Sequence, residues 1–565
     1  MPEGEKKAGP TAELHDVDEW MKEYNLIDHD MAYVVVSYTS SQFSDTDTQD
    51  ISDLHAIAAT AAKQACVPAY WLSMSCMGES KEELEEDVFR ISDVVRGAHS
   101  VVLAVKPEKN EYADVDSVLK DWGKRLWTLP EALLSPRDQP ISVYSCDQGS
   151  PRLIKVIPKR SLTSLVWEDS SLTRQLIEHY EGSLGLSRLE LVILALRCLS
   201  DRNHNTKRYL PGDLAYVLMG LLRQRPVVDA TDSEFQAFAR LSLANDSDSL
   251  LERLICVSPR YRRQDWYCTD DAFNVNLWDI QPTCQVSGVG HDNTVILDGC
   301  FGATITWDLF PTVNPNSKSS FKRICAKILL RIGALMAVLG WIFVFISASL
   351  NNSYSAAYGA TSSGFGLSGS GATYTSPMTY VAVALILLQL PIGLASPWLV
   401  RRCYSGKAWN VAPHYLGLEG YLDLQTLESQ IFGTWFGRLS WSVAGSELSR
   451  HQKNEFGECI GQDPTNDPAV ADLVRRAGQG GHGAMKVFTL IDTRQGLVTL
   501  YQAVRPPVAM IICGQEGGMQ RGVMVSLDWK RQTLYRESVL RVPTMVLENM
   551  RRIDRVRVGL ERPVD

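Results

Sequence analysis

The sequence predicts an α/β domain with a parallel sheet, a helical extension, a two-helix transmembrane hairpin and a C-terminal α+β domain. Three observations support this organisation. Apolar strands alternate with amphipathic helices in the first 160 residues, the chain then becomes mostly helical, and Ile332–Val400 contains no Asp, Glu, Lys, Arg or His. A chain of 565 residues has room for three or four structural units. We assign these units to residues 1–160, 161–320, 328–402 and 408–565.

Strands and helices alternate in the N-terminal domain. Met31–Tyr38, Ala69–Cys76 and Ser100–Val105 are short apolar runs typical of buried strands. Between them, residues 51–66 are rich in alanine, and residues 82–97 place apolar side chains at helical spacing. Such alternation predicts a doubly wound parallel sheet, whose helical crossovers are right-handed.

The other two regions outside the hairpin differ in pattern. The extension at 161–320 is predicted to be mostly helical, with less regular strand and turn signals after residue 257. The domain at 408–565 is predicted to be α+β. Its expected strands are Lys486–Ile491, Gly496–Tyr501, Val508–Cys513 and Gly522–Leu527.

Two uncharged segments, at residues 332–350 and 378–400, are each about as long as the 20 or so residues that cross a bilayer. Basic residues flank the pair: Lys318, Lys322, Arg323, Lys327 and Arg331 precede it, and Arg401, Arg402 and Lys407 follow it. The connecting loop has no basic residue, so the positive-inside rule places both termini in the cytosol. No apolar signal segment opens the chain. The sequence thus predicts an integral, multi-pass membrane protein.

Composition argues against two classes of ligand. The net charge of −9 and the pI near 5.7 do not fit a nucleic-acid-binding protein, which needs a basic surface. The 12 cysteines contain no CxxC pair, and in the cytosol they are expected to be free thiols. Cys256, Cys268, Cys284 and Cys300 lie close in sequence but without the paired spacing of structural zinc sites, so no metal site is predicted.

The most informative motif is Arg125–Leu134, RLWTLPEALL, together with the strands and helix before it. Four features are informative together: Ser37-Tyr38, the segment from Trp71 to Cys76, the acidic helix and the Trp-Thr-Leu-x-Glu motif. In these features the chain resembles the fungal heterokaryon-incompatibility (HET) domain. Asp213–Leu221, DLAYVLMGL, resembles a further segment of that family. The resemblance covers about residues 31–222, and Pro130 stands where the family usually has Gln.

The resemblance implies a fold similar to the Toll/interleukin-receptor (TIR) domain, which is flavodoxin-like and in some members cleaves NAD. Trp127 and Glu131 have the spacing of the Trp and catalytic Glu in plant-type TIR domains. Glu131 is therefore the candidate catalytic residue, and Ser37, Tyr38, Arg125 and Trp127 are the candidate binding residues. The same residues also fit a purely structural role, because Thr128 and Glu131 have the spacing of a helix capping box.

Two functions follow as expectations. The first is a membrane-anchored HET-type signalling protein that acts in fungal self/non-self recognition or cell death through regulated assembly, with itself or with a signalling partner. The second is an NAD-cleaving hydrolase that uses Glu131, with NAD as substrate rather than cofactor. Spans without charged residues argue against a channel or transporter. A cleft beside Glu131 would favour the hydrolase.

Overall fold

The computed structural model describes residues 31–563, except 79, 107–111, 148, 205–207, 223, 262–263, 291, 308–320, 360–376, 405–414, 434, 436 and 480–483. Contacts divide the chain into two units. One unit contains the described residues up to 305 together with 442–489 and 499–563, and the other contains those of 306–441 and 490–498. The fold is mixed α/β and includes a parallel sheet, as the sequence predicts.

The first sheet has five strands in the order β2-β1-β3-β4-β5. Its strands are β1 (Tyr33–Ser37), β2 (Ala69–Leu72), β3 (Ser100–Ala104), β4 (Ile141–Asp147) and β5 (Ser150–Ile157). β1 pairs in parallel with both β2 and β3, and β3 pairs in parallel with β4. β5 returns antiparallel to β4. The prediction that the first three strands are adjacent and parallel is confirmed.

Helices cover both faces of this sheet. The helices of this region are α1 (Thr48–Gln64), α2 (Ser73–Cys76), α3 (Lys81–Gly97), α4 (Tyr112–Gly123) and α5 (Thr128–Leu134). α1 packs with Val34 and Val36 on one face, whereas α3 and α5 pack with Val35 on the other. Successive residues of a strand point to opposite faces, which explains this division. The helices predicted at 51–66 and 82–97 are α1 and α3.

The second predicted strand is shorter than expected. β2 ends at Leu72, and the next four residues form the helical turn α2, in which the Met77 amide donates to the Ser73 carbonyl. The predicted strand ran to Cys76, but Ser75 and Cys76 do not end a strand at the carboxyl edge of the sheet. Ser73 takes that place instead.

The region after the sheet is helical up to residue 255, as predicted. Its helices are α6 (Lys159–Val166), α7 (Ser170–Tyr180), α8 (Arg188–Asn203), α9 (Asp213–Leu221), α10 (Glu234–Ala244) and α11 (Leu250–Ile255). The helical pattern at 232–256 is interrupted before α11, where Ser249 has a φ of 47°.

A second, largely antiparallel sheet combines strands from distant parts of the chain. These strands are β6 (Gln281–Pro282), β7 (Gln285–Gly290), β8 (Thr294–Trp307), β15 (Ala509–Glu516), β16 (Met519–Asp528), β17 (Thr533–Pro543) and β18 (Arg551–Gly559). β8 pairs with β7, β15 and β18. The strands predicted at 508–513 and 522–527 thus share a sheet with residues before the apolar segments, whereas the sequence suggests a separate domain at 408–565.

The remaining elements are the two helices that contain most of the uncharged region and the elements that follow them, up to residue 503. They are α12 (Phe321–Gly359), α13 (Pro377–Tyr404), β9 (Tyr415–Glu419), α14 (Leu424–Phe432), β10 (Ser440–Trp441), β11 (Arg450–Lys453), β12 (Cys459–Gln462), α15 (Pro468–Ala477), β13 (Lys486–Asp492) and β14 (Leu497–Ala503).

Two of these helices are long and apolar enough to cross a membrane, over Ile324–Leu350 and Pro377–Val400. α12 and α13 pack against each other: a Cβ added at Gly333 would lie 2.6 Å from Ile392 Cγ2, and Ser347 and Thr379 share a hydrogen bond of 2.6 Å. Glycine permits this close approach because it has no side chain.

Candidate functional site

A cavity of about 290 Å³ lies at the carboxyl ends of β1 and β2. This is the edge at which open α/β sheets bind ligands. Its walls come from β1 and the following loop, α2, α3, α5 and the segment before α9. The lining residues include Val36, Ser37, Tyr38, Thr39, Ser40, Phe43, Asp45, Ser73, Met74, Met77, Gly78, Leu84, Arg125, Trp127, Thr128, Glu131, Arg208 and Tyr209. All five residues that the sequence singles out therefore meet at one cavity.

Glu131 is held in this cavity by the end of β1. Ser37 Oγ donates a hydrogen bond of 2.5 Å to Glu131 Oε2, and Trp122 Nε1 donates to Ser37 Oγ at 2.8 Å. Trp122 and Ser37 are buried. The indole therefore orients the hydroxyl, and the hydroxyl in turn orients the carboxyl group.

The surroundings of Glu131 change its acidity. Burial raises its pKa to about 7, and the hydrogen bond from Ser37 offsets part of this effect. The side chain remains partly exposed to the cavity. A carboxyl group with a pKa near neutrality can act either as an acid or as a base at physiological pH. Such perturbed groups are concentrated in functional sites.

The predicted capping box is absent. No side chain caps the start of α5, where Trp127 occupies the N-cap position. Thr128 Oγ1 instead donates to the Arg125 carbonyl at 2.8 Å, which leaves Glu131 turned toward Ser37. The spacing misleads because Thr128 already belongs to the helix and is not the residue before it. Helix capping therefore does not explain the presence of a carboxylate at position 131.

Polar groups line the cavity beside Glu131. The Tyr38 hydroxyl accepts a hydrogen bond of 3.0 Å from Ser73 Oγ, and burial raises its pKa to about 12, so this phenol is neutral. The Arg125 guanidinium donates to Ser40 Oγ at 3.1 Å. The site thus offers a neutral hydroxyl and a cation to a ligand beside Glu131.

Trp127 connects the cavity to α9. Its Nε1 donates to Asp213 Oδ2 at 3.1 Å, and the same carboxylate accepts from the Tyr209 and Leu210 amides at 2.7 and 3.1 Å. Burial raises the pKa of Asp213 to about 6. The two motifs that resemble the HET family, around Trp127 and from Asp213 onward, therefore contact each other directly.

Sequence reasoning missed several residues of the cavity. Arg208 and Tyr209 line it, and Arg208 also forms a 2.6 Å ion pair with Glu234. Their only signal in the sequence is their position just before the Asp213 segment. Trp122 was also missed, because its position in an amphipathic helix gives no sign that its indole contacts Ser37. Among the described lining residues there is no His or Cys, and the metal ligands that the lining offers are the carboxylates of Asp45 and Glu131 and the thioethers of Met74 and Met77.

Comparison with family models, with curated proteins and with solved structures finds no match to this chain.

Proposed function

We propose that the N-terminal domain is a TIR-like HET domain that cleaves the N-glycosidic bond of NAD, within a membrane-anchored signalling protein. The observation that carries this proposal is the position of Glu131. Its carboxyl group faces a cavity at the carboxyl edge of the sheet and is oriented by Ser37. The strand order β2-β1-β3-β4-β5 is that of flavodoxin-like sheets, although the last strand here is antiparallel.

The reaction needs only one carboxylate. As the bond between C1′ of the ribose and the nicotinamide nitrogen breaks, the electron pair stays with nicotinamide, which leaves as a neutral molecule. Positive charge develops on the ribose, and ionised Glu131 would stabilise it. Water then supplies the hydroxyl group at C1′ and releases a proton.

The size of the cavity fits part of the dinucleotide. A volume of about 290 Å³ is at the lower end of the roughly 300–1,000 Å³ of small-molecule sites, and would hold a nucleoside-sized group. We place the nicotinamide riboside inside, beside Glu131 and the Tyr38 hydroxyl. Arg125 would then contact the diphosphate, because a guanidinium binds phosphate oxygens with good geometry.

The test is nicotinamide release from NAD by the full chain, purified in detergent and assayed at increasing protein concentration. We expect release by the wild type and none by Glu131→Gln, which keeps the hydrogen bond from Ser37 but removes the charge. The matched control is Glu86→Gln, which changes an exposed glutamate of α3 paired with Arg90. Equal release by wild type and Glu131→Gln would exclude the proposed mechanism.

Membrane anchoring is supported by the exposure of the apolar helices. Within the most apolar windows of α12 and α13, only 11% and 6% of the residues are buried, whereas the core helix of a soluble protein would be mostly buried. Large side chains such as Trp341, Phe345 and Leu394 are exposed. A bilayer would cover these surfaces, and both flanks would then lie on the cytosolic side.

A second candidate function is assembly without catalysis. It is favoured by the raised pKa of Glu131, because near pH 7 about half of these carboxyl groups are protonated, and the protonated form cannot stabilise a developing cation. In this case the domain would bind a nucleotide or a partner and self-associate. Binding of NAD without nicotinamide release, equal in wild type and Glu131→Gln, would support this function over hydrolysis.

A further inference from the structure

Three cysteines meet where β8 changes its pairing partner. Along one edge, β8 pairs with β7 through Thr294–Asp298 and with β15 through Phe301–Thr304. The change falls at Gly299, which has a φ of 77°, and at Cys300. A left-handed backbone conformation at a glycine bends a strand without steric cost. Cys300 is therefore located at the junction of three strands.

The other two cysteines reach this junction from different segments. Cys513 is the extra residue of a β-bulge in β15, since Ile512 pairs with Gly522 while Gly514 pairs with Arg521. Bulges redirect the side chain of the inserted residue. The Cys513 carbonyl accepts from the Thr283 amide at 2.8 Å and from Cys284 Sγ at 3.3 Å, which brings Cys284 alongside.

The sulfur atoms of Cys284, Cys300 and Cys513 all lie within 4.8 Å of one another. Cys300 and Cys513 are buried, and Cys284 is half-buried. Cys256, which sequence proximity would group with Cys284 and Cys300, contacts the position of Gly514 and is not one of the three.

We propose that Cys284, Cys300 and Cys513 bind a single thiophilic d10 metal ion, Zn²⁺ or Cu⁺. Thiolate sulfur is the ligand that both ions prefer. With Zn–S bonds of about 2.3 Å, the sulfurs of a tetrahedral site lie roughly 3.8 Å apart, so the cluster needs to contract by no more than about 1 Å. In a tetrahedral site, three protein thiolates leave one position for a further ligand. As each metal–sulfur bond forms, the thiol proton is released to water, and no electron is transferred.

Such a site would join segments that are distant in sequence. Cys284 and Cys300 precede the two apolar helices, and Cys513 follows them. A metal ion held by all three would fix β15 to β7 and β8. Because the unfolded chain has no preformed site, metal binding would stabilise the folded state.

The experiment uses the full chain in detergent, reduced and treated with a chelator. One sample is then loaded with Zn²⁺, and another with Cu⁺ under argon. After desalting, elemental analysis gives the metal content per chain, and Co²⁺ loading provides a thiolate charge-transfer band as a spectroscopic signature. We expect about one ion per chain with at least one of the two metals, and a higher melting temperature than for the metal-free protein.

Cys284→Ser and Cys513→Ser should reduce the metal content to background and remove the Co²⁺ band. The matched control is Cys198→Ser, a buried thiol of α8 outside the cluster, which should retain the ion. Should Cys513→Ser fail to fold, the half-buried Cys284→Ser decides the result. The proposal is overturned when the wild type retains neither metal, when two of the thiols form a disulfide and bind no ion, or when Cys284→Ser retains as much metal as Cys198→Ser.

Discussion

Ser37 and Glu131 are 94 positions apart in sequence, yet the serine hydroxyl donates to the glutamate carboxyl group at 2.5 Å. The contact joins the last residue of the interior strand β1 to the first turn of α5. Because Trp122 donates to the same serine, the carboxyl group is positioned by a hydrogen-bonded chain and not by the capping of its own helix. This arrangement leads to the first prediction.

Glu131 should make stability depend on pH. Its pKa in the folded protein, about 7, exceeds the ordinary value of 4.5, so the folded state binds more protons between these values. Its contribution to stability is therefore fully present below pH 4.5 and is lost as the pH rises through 7. We expect a decrease of up to about 3 kcal/mol, which thermal melts of the full chain from pH 4.5 to 8 would detect.

Glu131→Gln should flatten this dependence and melt at a higher temperature than the wild type above pH 7, since the glutamine is never charged. Glu86→Gln should keep the wild-type slope, because that side chain is exposed on α3. Identical slopes for wild type and Glu131→Gln would show that Glu131 keeps an ordinary pKa in the folded protein.

Asp213→Ala should destabilise the domain. The substitution removes the acceptor for Trp127 Nε1 and for two backbone amides, all in a buried environment. Buried donors without a partner cost about 1–3 kcal/mol each, so we expect a loss of roughly 3 kcal/mol and a change in tryptophan fluorescence. Asp246→Ala, at an exposed position, should have little effect on either measurement. A loss below 1 kcal/mol for Asp213→Ala would contradict the proposed role of this network.

Gly220→Ala should weaken the packing of α9 on α3. A Cβ at position 220 would lie 1.9 Å from Ser92 Oγ, so one helix must shift, at a cost of about 1–3 kcal/mol. Helix propensity alone would make Gly220→Ala stabilising by about 1 kcal/mol. A loss of stability would therefore show that the contact with Ser92 outweighs helix propensity. Adding Ser92→Gly should recover part of the loss. Gly185→Ala, where no atom lies within 4 Å of the added Cβ, should be neutral in the same thermal melts.

The two-span hairpin predicts that both flanking regions lie on the same side of the membrane. In sealed vesicles, a protease added outside should cut both the N-terminal and the C-terminal regions or neither of them. Protection of only one region would contradict the two-span topology.

The contact between α12 and α13 can be tested by crosslinking. Ser347 and Thr379 share a hydrogen bond, so the double variant Ser347→Cys/Thr379→Cys should crosslink. Gly333→Leu should reduce this crosslinking, because its side chain would collide with Ile392.

Local patterns predicted three of the five strands of the first sheet. Apolar runs located β1, β2 and β3, because strands buried on both faces need continuous apolar residues. The same reasoning extended β2 to Cys76, since SMSC is apolar enough for a strand and only the backbone turn at Ser73 ends it. β4 and β5 were both missed. In β5, half of the side chains are exposed and dilute its apolar signal.

The alternation of strands and helices and the two long uncharged helices follow from the sequence alone, and the family resemblance singled out Ser37, Tyr38, Arg125, Trp127 and Glu131. The fold then established that these five residues line one cavity. The tertiary structure alone decided which partner each side chain meets. Glu131 binds Ser37 and not its own helix end, and Cys513 joins Cys284 and Cys300 across more than 200 residues. Periodicity reports which face of an element is buried, but contacts between distant segments depend on how those faces pack together.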